Sequence, residues 1–170
     1  WKSGVAYVPE NLRLGVAIEG FLHPDMIVIG TSLPDTEKKV LSLYKNFQTT
    51  IHTMDLKSAE MVKHALNAYL ATAITFGNEI ARLSEKLGAN GVKVAQALKG
   101  DKRIGKAPIL PGLGFSGGTI ARDVTQLIKF SKQKKHKSNL LLSITKSNEQ
   151  TFSDIIDKLT LSLGSLTNKT

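Results

Sequence analysis

Apolar and polar positions follow two different periods along this chain, and the change falls near residue 54. Before it the apolar runs are short and β-branched, and Val5–Val8, Met26–Ile29 and Thr49–His52 read as strands. One helical pattern lies among them, Asp35–Phe47, where Val40, Leu41, Leu43 and Tyr44 stand between charged residues. Three strands this short leave their edges unpaired, so the segment reads as the end of a larger sheet.

From Asp55 the pattern is helical, with Asp55 or Ser58 available as N-cap, Glu60 in the first turn, Lys86 in the last and Gly88 as the stop. A helix of about 30 residues is roughly 45 Å long. Val62, Leu66, Tyr69, Ala73, Phe76, Ile80, Leu83 and Leu87 alternate spacings of four and three, a heptad seam that requires a second helix. That helix can come from a second copy or from the same subunit. A short helix follows between Asn90 and Gly100, and then the chain turns to loop: six of the 14 glycines fall between Gly100 and Gly118, with Pro108 and Pro111. Helix resumes from Thr119 toward Lys135 and again from about Ser138, with apolar positions at Leu140, Leu141 and Ile144, then Phe152, Ile155, Ile156 and Leu159.

Composition narrows the class. With 41% hydrophobic and 22% charged residues over 170 positions, the chain can bury the core of about one domain. The absence of cysteine excludes disulfides, thiolate metal sites and a thiol nucleophile. No apolar run approaches the ~18 residues of a membrane span. No basic segment leads into an apolar signal core, so the chain reads as cytoplasmic, and its start at Trp1 reads as an internal piece of a longer protein. His23, His52, His64 and His136 lack metal-ligand spacing, and no metal site is expected. The net charge of +9 owes much to lysines 129, 132, 134, 135, 137 and 146, in a stretch without acids. With only Phe130 nearby to stack on bases, that stretch reads as a solvated helix end and loop, and a nucleic-acid partner is not expected. The glycosylation sequon Asn168-Lys169-Thr170 is discounted for want of a secretory signal.

Four constellations could carry chemistry. Gly112-Leu113-Gly114-Phe115-Ser116-Gly117 matches G-x-G-x-x-G by letter, but Lys106–Pro111 is a poor strand and residues 124–148 hold no acid, so a dinucleotide fingerprint is not expected there. The glycines read instead as a loop passing close to a ligand or another backbone. Lys63 and Asn67 stand at i, i+4 on the long helix, a spacing suited to an acid/base amine beside a polarising amide and also common on solvated helices. Thr119 and Asp123 form a second such pair, and Asp123 also suits an early helical turn electrostatically. Arg103 is either a phosphate-seeking guanidinium on a turn or a surface charge.

Taken together, Tyr7-Val8-Pro9-Glu10-Asn11-Leu12-Arg13-Leu14-Gly15, Ser58–Lys63 with Asn67–Ala71 and Asn78-Glu79, Asp101–Gly105, and Pro111–Phe115 through Asp123 resemble the UDP-glucose/GDP-mannose dehydrogenase family in order and spacing. The resemblance implies a mainly α fold: a long-helix central domain, like the C-terminal domain of 6-phosphogluconate dehydrogenase, with a few short strands left from a truncated Rossmann domain. It implies that residues 1–53 end an NAD-binding domain, 54–148 form the central dimerisation and catalytic domain, and 149–170 lead toward a nucleotide-binding domain. A homodimer through helix 55–88, a nucleotide-sugar substrate, NAD as cofactor and no membrane partner go with it, and so does inactivity of the fragment alone; the residues that would hold NAD are not identified.

By motif, Lys63 and Asn67 resemble the catalytic lysine and asparagine that flank the reacting sugar hydroxyl and an ordered water. Asp123 resembles the aspartate that assists water activation, and Glu10 the first glutamate of the Pro-Glu-Phe-Leu-type motif. Arg103 resembles an arginine that reaches the neighbouring subunit's ligand. Gly112, Gly114, Phe115 and Gly117 resemble the loop that wraps the nucleotide sugar with backbone amides. The chain departs from the family in two places: the nucleophilic cysteine falls at Thr119, and the second glutamate at Leu14. A threonine hydroxyl is a poorer nucleophile than a thiol, so the family's thioester route from alcohol to acid is in question. The reaction would end after one hydride transfer or pass through a hydrated aldehyde; loss of activity is the third outcome. Lys-x-x-x-Asn also suits a β-hydroxyacid dehydrogenase-type domain, and the seam and charge alone suit a non-catalytic dimerisation or nucleic-acid-binding module.

Overall fold

In the computed structural model, residues 4–12 and 15–166 are described. The departure at Leu14 and the sequon at Asn168–Thr170 lie outside them.

The protein is mainly helical with one small sheet, as the resemblance implied. It divides into two units, Trp1–Ala65 and Leu66–Thr170. In the first unit, strands β1 (Ala6–Tyr7), β2 (Met26–Thr31) and β3 (Thr50–Asp55) lie in the order β1-β2-β3. β1 pairs antiparallel with β2, and β2 pairs parallel with β3 from Met26↔Thr50 to Thr31↔Asp55. The parallel pair is joined by helix α2 (Pro34–Tyr44), which makes a βαβ unit; the short helix α1 (Ala17–Leu22) precedes β2. Ile27, Val28 and Ile29 of β2 are buried, as a central strand covered on both faces requires. Gly30 sits so close to the first turn of the next helix that a Cβ there would meet the Ala59 Cβ at 2.5 Å.

Helix α3 (Leu56–Lys86) starts in the first unit and belongs mostly to the second. Asp55 caps it, its carboxylate accepting from the Ser58 N–H at 3.1 Å and the Ser58 hydroxyl at 2.6 Å. These bonds hold the Asp55 pKa below its ordinary value. The helix ends at Gly88, whose φ of +73° suits the left-handed stop, with the Ala89 N–H donating back to the Ser84 carbonyl.

In the second unit α3 is joined by α4 (Gly91–Lys99), a single π-helical turn (Gly117–Ala121), α5 (Arg122–Gln133) and α6 (Asn139–Leu163). Asn90 caps α4 by accepting from the Lys93 N–H. The core gathers Ala68 and Ala71 of α3, Phe115 from the glycine loop, Val124 of α5 and Ile144 of α6. Small residues on α3 admit the larger side chains of the other elements. Polar contacts extend the α3–α6 packing: Arg82 donates to Thr151 Oγ1 and Ser147 Oγ and pairs with Asp154 at 3.3 Å. Residues 132–137, which carry four of the lysines, are all exposed, a solvated helix end and loop. No helix is long and apolar enough to cross a membrane among the described residues.

Candidate functional site

The residues singled out from the sequence fall into three groups, each held by a different kind of contact. In the first unit, Lys63 lies two turns into α3 with its side chain 20% exposed. Its ammonium donates to the Glu10 carbonyl oxygen and to Asn11 Oδ1 at 3.4 Å, and it stands 4.0 Å from the Glu10 carboxylate. Glu10 is itself shaped locally, its carboxylate accepting the Leu12 N–H at 2.8 Å. The loop after β1 therefore brings three oxygen atoms to one cation.

The second group lies in the second unit. Asn67, four residues after Lys63, is 8% exposed and donates through Nδ2 to Asp123 Oδ2 at 2.5 Å. Asp123, in the first turn of α5, is 3% exposed. A carboxylate so deeply buried needs hydrogen-bond donors, and the Asn67 amide is one. Arg122 stands 3.7 Å from it on the more exposed side. Thr119 sits in the π-helical turn one helical turn earlier, exposed, its hydroxyl bonded to no other described residue. Turns of this kind recur at functional sites.

The third group is the glycine loop. Its entry is fixed where Gly77 of α3 meets Ile109: a Cβ on Gly77 would come within 2.1 Å of the Ile109 carbonyl oxygen. The Gly112 N–H donates to Asn78 Oδ1 at 2.8 Å, while Asn78 Nδ2 is buried without a partner among the described residues. Leaving such a group unpaired costs about 1–3 kcal/mol. Phe115 is buried in the core, and both its N–H and its carbonyl are bonded to the Asn148 amide at 2.8 Å. Gly114 and Gly117 have φ of +93° and +79°, a conformation glycine adopts without strain.

Arg103 stands apart from these groups. It is 88% exposed and forms a two-pronged pair with Asp101 at 3.0 and 2.6 Å, Asp101 also accepting the Arg103 N–H. The guanidinium lowers the Asp101 pKa, and the carboxylate raises that of Arg103.

In the sequence Asn11 and Asn78 stand only as parts of motifs, and Asn148 carries no assigned role. Asn148 left a trace in the sequence: it is a polar residue in the buried row Ile144, Asn148, Thr151 of α6. Among the described residues no cluster of three His, Asp or Glu side chains could hold a metal ion. Nor do these residues fit the pyrophosphate of a dinucleotide. The glycine segment follows a loop rather than a strand, and the βαβ unit turns through Ser32-Leu33-Pro34 with no glycine.

Comparison with known proteins gives a consistent answer. Residues 57–150 match the model of the UDP-glucose/GDP-mannose dehydrogenase family, central domain. The chain is 40% identical over 166 residues to UDP-glucose 6-dehydrogenase YwqF of Bacillus subtilis, covering 98% of this chain and 38% of that protein. It is 35% identical over 162 residues to UDP-glucose 6-dehydrogenase TuaD of the same organism, covering 95% and 35%. The solved UDP-glucose dehydrogenase of Pyrobaculum islandicum superposes with a TM-score of 0.85 at 34% identity, covering 96% of this chain and 38% of that one. The chain thus spans less than two fifths of the length of these relatives.

Proposed function

Because the chain belongs to the UDP-glucose/GDP-mannose dehydrogenase family, we propose that it forms the central part of an NAD-dependent enzyme that oxidises the sugar hydroxyl of a nucleotide sugar, with UDP-glucose the first substrate to test. The observation that carries this reading is the Asn67–Asp123 hydrogen bond, which joins two family motifs 56 residues apart in a buried contact. The substrate follows the names of the relatives, which are UDP-glucose 6-dehydrogenases.

In this reading Lys63 and Asn67 contact the reacting sugar: the ammonium stabilises negative charge that develops on the hydroxyl oxygen, and the amide, oriented by Asp123, fixes the substrate or a water. Glu10 tunes the charge around Lys63, and Arg103 serves the ligand of a neighbouring subunit. The loop at Gly112, Gly114 and Gly117 contributes backbone amides, with Phe115 as its anchor. NAD would accept the hydride in this chemistry, and no residue of this chain is assigned to hold it. The proposed division follows the sequence boundaries 1–53, 54–148 and 149–170.

The chain contains no cysteine, so none of its residues can form a thioester. We assign Thr119 no covalent bond with the substrate. Oxidation of the alcohol gives an aldehyde by loss of one hydride and one proton. Any acid arises from the hydrated aldehyde by loss of a second hydride and proton, with water supplying the added oxygen.

Dimerisation through helix 55–88 is supported by Tyr69, Phe76 and Leu83, spaced seven apart on α3 and 58%, 48% and 51% exposed. A continuous apolar line of this kind suits a second helix. The test is titration of the complete protein with UDP-glucose and GDP-mannose in the presence of NAD. Saturable NAD reduction with one of them is expected, whereas binding only to polyanions with steep salt dependence contradicts the reading.

A further inference from the structure

The glycine loop is held from within the protein by two asparagines on different helices. Asn78 of α3 takes the Gly112 N–H, and Asn148 of α6 takes both the N–H and the carbonyl of Phe115 at 2.8 Å each. Asn148 is 6% exposed, so this paired bond competes little with water. The Phe115 ring packs in the core, and a Cβ on Gly114 would meet Asn148 Oδ1 at 2.6 Å. Any side chain at Gly114 would therefore displace the amide. The loop has no strand or helix of its own at these residues, so the asparagines supply the hydrogen bonds that regular structure would otherwise supply. The backbone N–H groups of Leu113, Gly114 and Ser116 bond to no other described residue, and Leu113 is 70% exposed. One side of the loop is thus fixed from within the protein.

We propose that Asn148 is a positioning residue: by clamping both backbone groups of Phe115 it presets the glycine loop for the oxygen atoms of the nucleotide sugar. The inference rests on the functional reading above, which supplies the ligand. The clamp touches no reacting atom, so it acts on binding more than on the chemical step.

The test uses the complete protein with UDP-glucose as probe and hydrogen exchange at the Phe115 amide as a second readout that needs no ligand. Asn148→Leu keeps the volume and removes both hydrogen bonds. It is expected to speed exchange at Phe115 at least tenfold and raise KM tenfold or more, with kcat within about threefold of the unaltered protein. Asn148→Asp keeps an acceptor for the Phe115 N–H but sets a carboxylate oxygen against the Phe115 carbonyl, so it is expected to perturb the loop at least as much; it also decides the matter if the leucine variant does not fold. Gly114→Ala reproduces the leucine variant from the loop side. Thr151→Val removes a buried polar group elsewhere on α6 and controls for lost stability.

Unchanged exchange at Phe115 in Asn148→Leu, unchanged KM despite faster exchange, or an equal rise of KM in Thr151→Val would each overturn the proposal. If the unaltered protein does not bind UDP-glucose, the functional reading fails instead; faster exchange at Phe115 then still supports the clamp, and unchanged exchange removes it.

Discussion

Two positions one turn apart on α3 hold their candidate side chains in opposite ways. At Lys63 the contacts come from an irregular loop: a carbonyl oxygen, an amide oxygen and a carboxylate that is 67% exposed at 4.0 Å. At Asn67, one turn later, the partner is an almost fully buried aspartate on another helix at 2.5 Å. Exposed ion pairs contribute about 0–1 kcal/mol, whereas a buried polar group deprived of its partner costs about 1–3 kcal/mol or more if charged. The Lys63 position is therefore adjustable and the Asn67 position fixed. This suits a group that meets developing charge beside one that keeps its orientation.

Replacement breaks this contrast most strongly at the fixed position. Asn67→Leu leaves the Asp123 carboxylate without the amide, and a loss of about 3 kcal/mol is expected in denaturant unfolding together with loss of turnover. A melt equal to that of the unaltered protein would show that Asp123 does not depend on Asn67. Lys63→Ala separates the two properties: turnover falls by about 10²–10⁴ while stability changes by no more than about 1 kcal/mol. A large loss of stability at Lys63 would erase the distinction. Phe76→Glu addresses the outer face of the same helix and is expected to convert a dimer into monomers in sedimentation, with little change in the fold. An unchanged sedimentation coefficient would mean that the seam has no second copy.

The smallest effect is electrostatic. Asp55 and Asp101 both have lowered pKa values, by hydrogen bonds from Ser58 and from Arg103 respectively. A carboxyl group whose folded pKa is lowered adds stability above its unfolded pKa, about 3.9, and loses it as pH falls through the folded value. Thermal melts between about pH 4 and 2 should therefore decline less steeply in Asp55→Asn than in the unaltered protein, because the asparagine still caps α3 but does not titrate. Equal slopes would exclude Asp55 from the acid response.

Much of this was legible in the chain. Asp55 as cap and Gly88 as stop marked α3 to within a few residues, and Asn90 and Gly100 marked both ends of α4. Strand β3 extends three residues past its reading to Asp55, because it pairs along the whole of β2. Helix α1 gave no signal: it spans six residues without a side-chain cap, and Ile18, Phe21 and Leu22 are exposed, so there is no buried stripe to detect. The π-helical turn at Gly117–Ala121 was illegible because glycine permits many backbone paths. Lys63 and Asn67 were visible as a spacing, but the partner of Asn67 lies 56 residues away and only folding identifies it. The roles of Asn78 and Asn148 were hidden for a related reason: both bind backbone, which carries no sequence signature.

The claim on which the account turns is that Lys63 and Asn67 serve one reaction. Its most direct test is turnover of UDP-glucose by the complete protein carrying Lys63→Ala, Asn67→Ala and both together, measured well below the lowest melting temperature. Groups that act as a unit are strongly non-additive, so the double variant should fall within about threefold of the more damaged single variant. Losses that multiply would contradict it, since the two residues would then act independently.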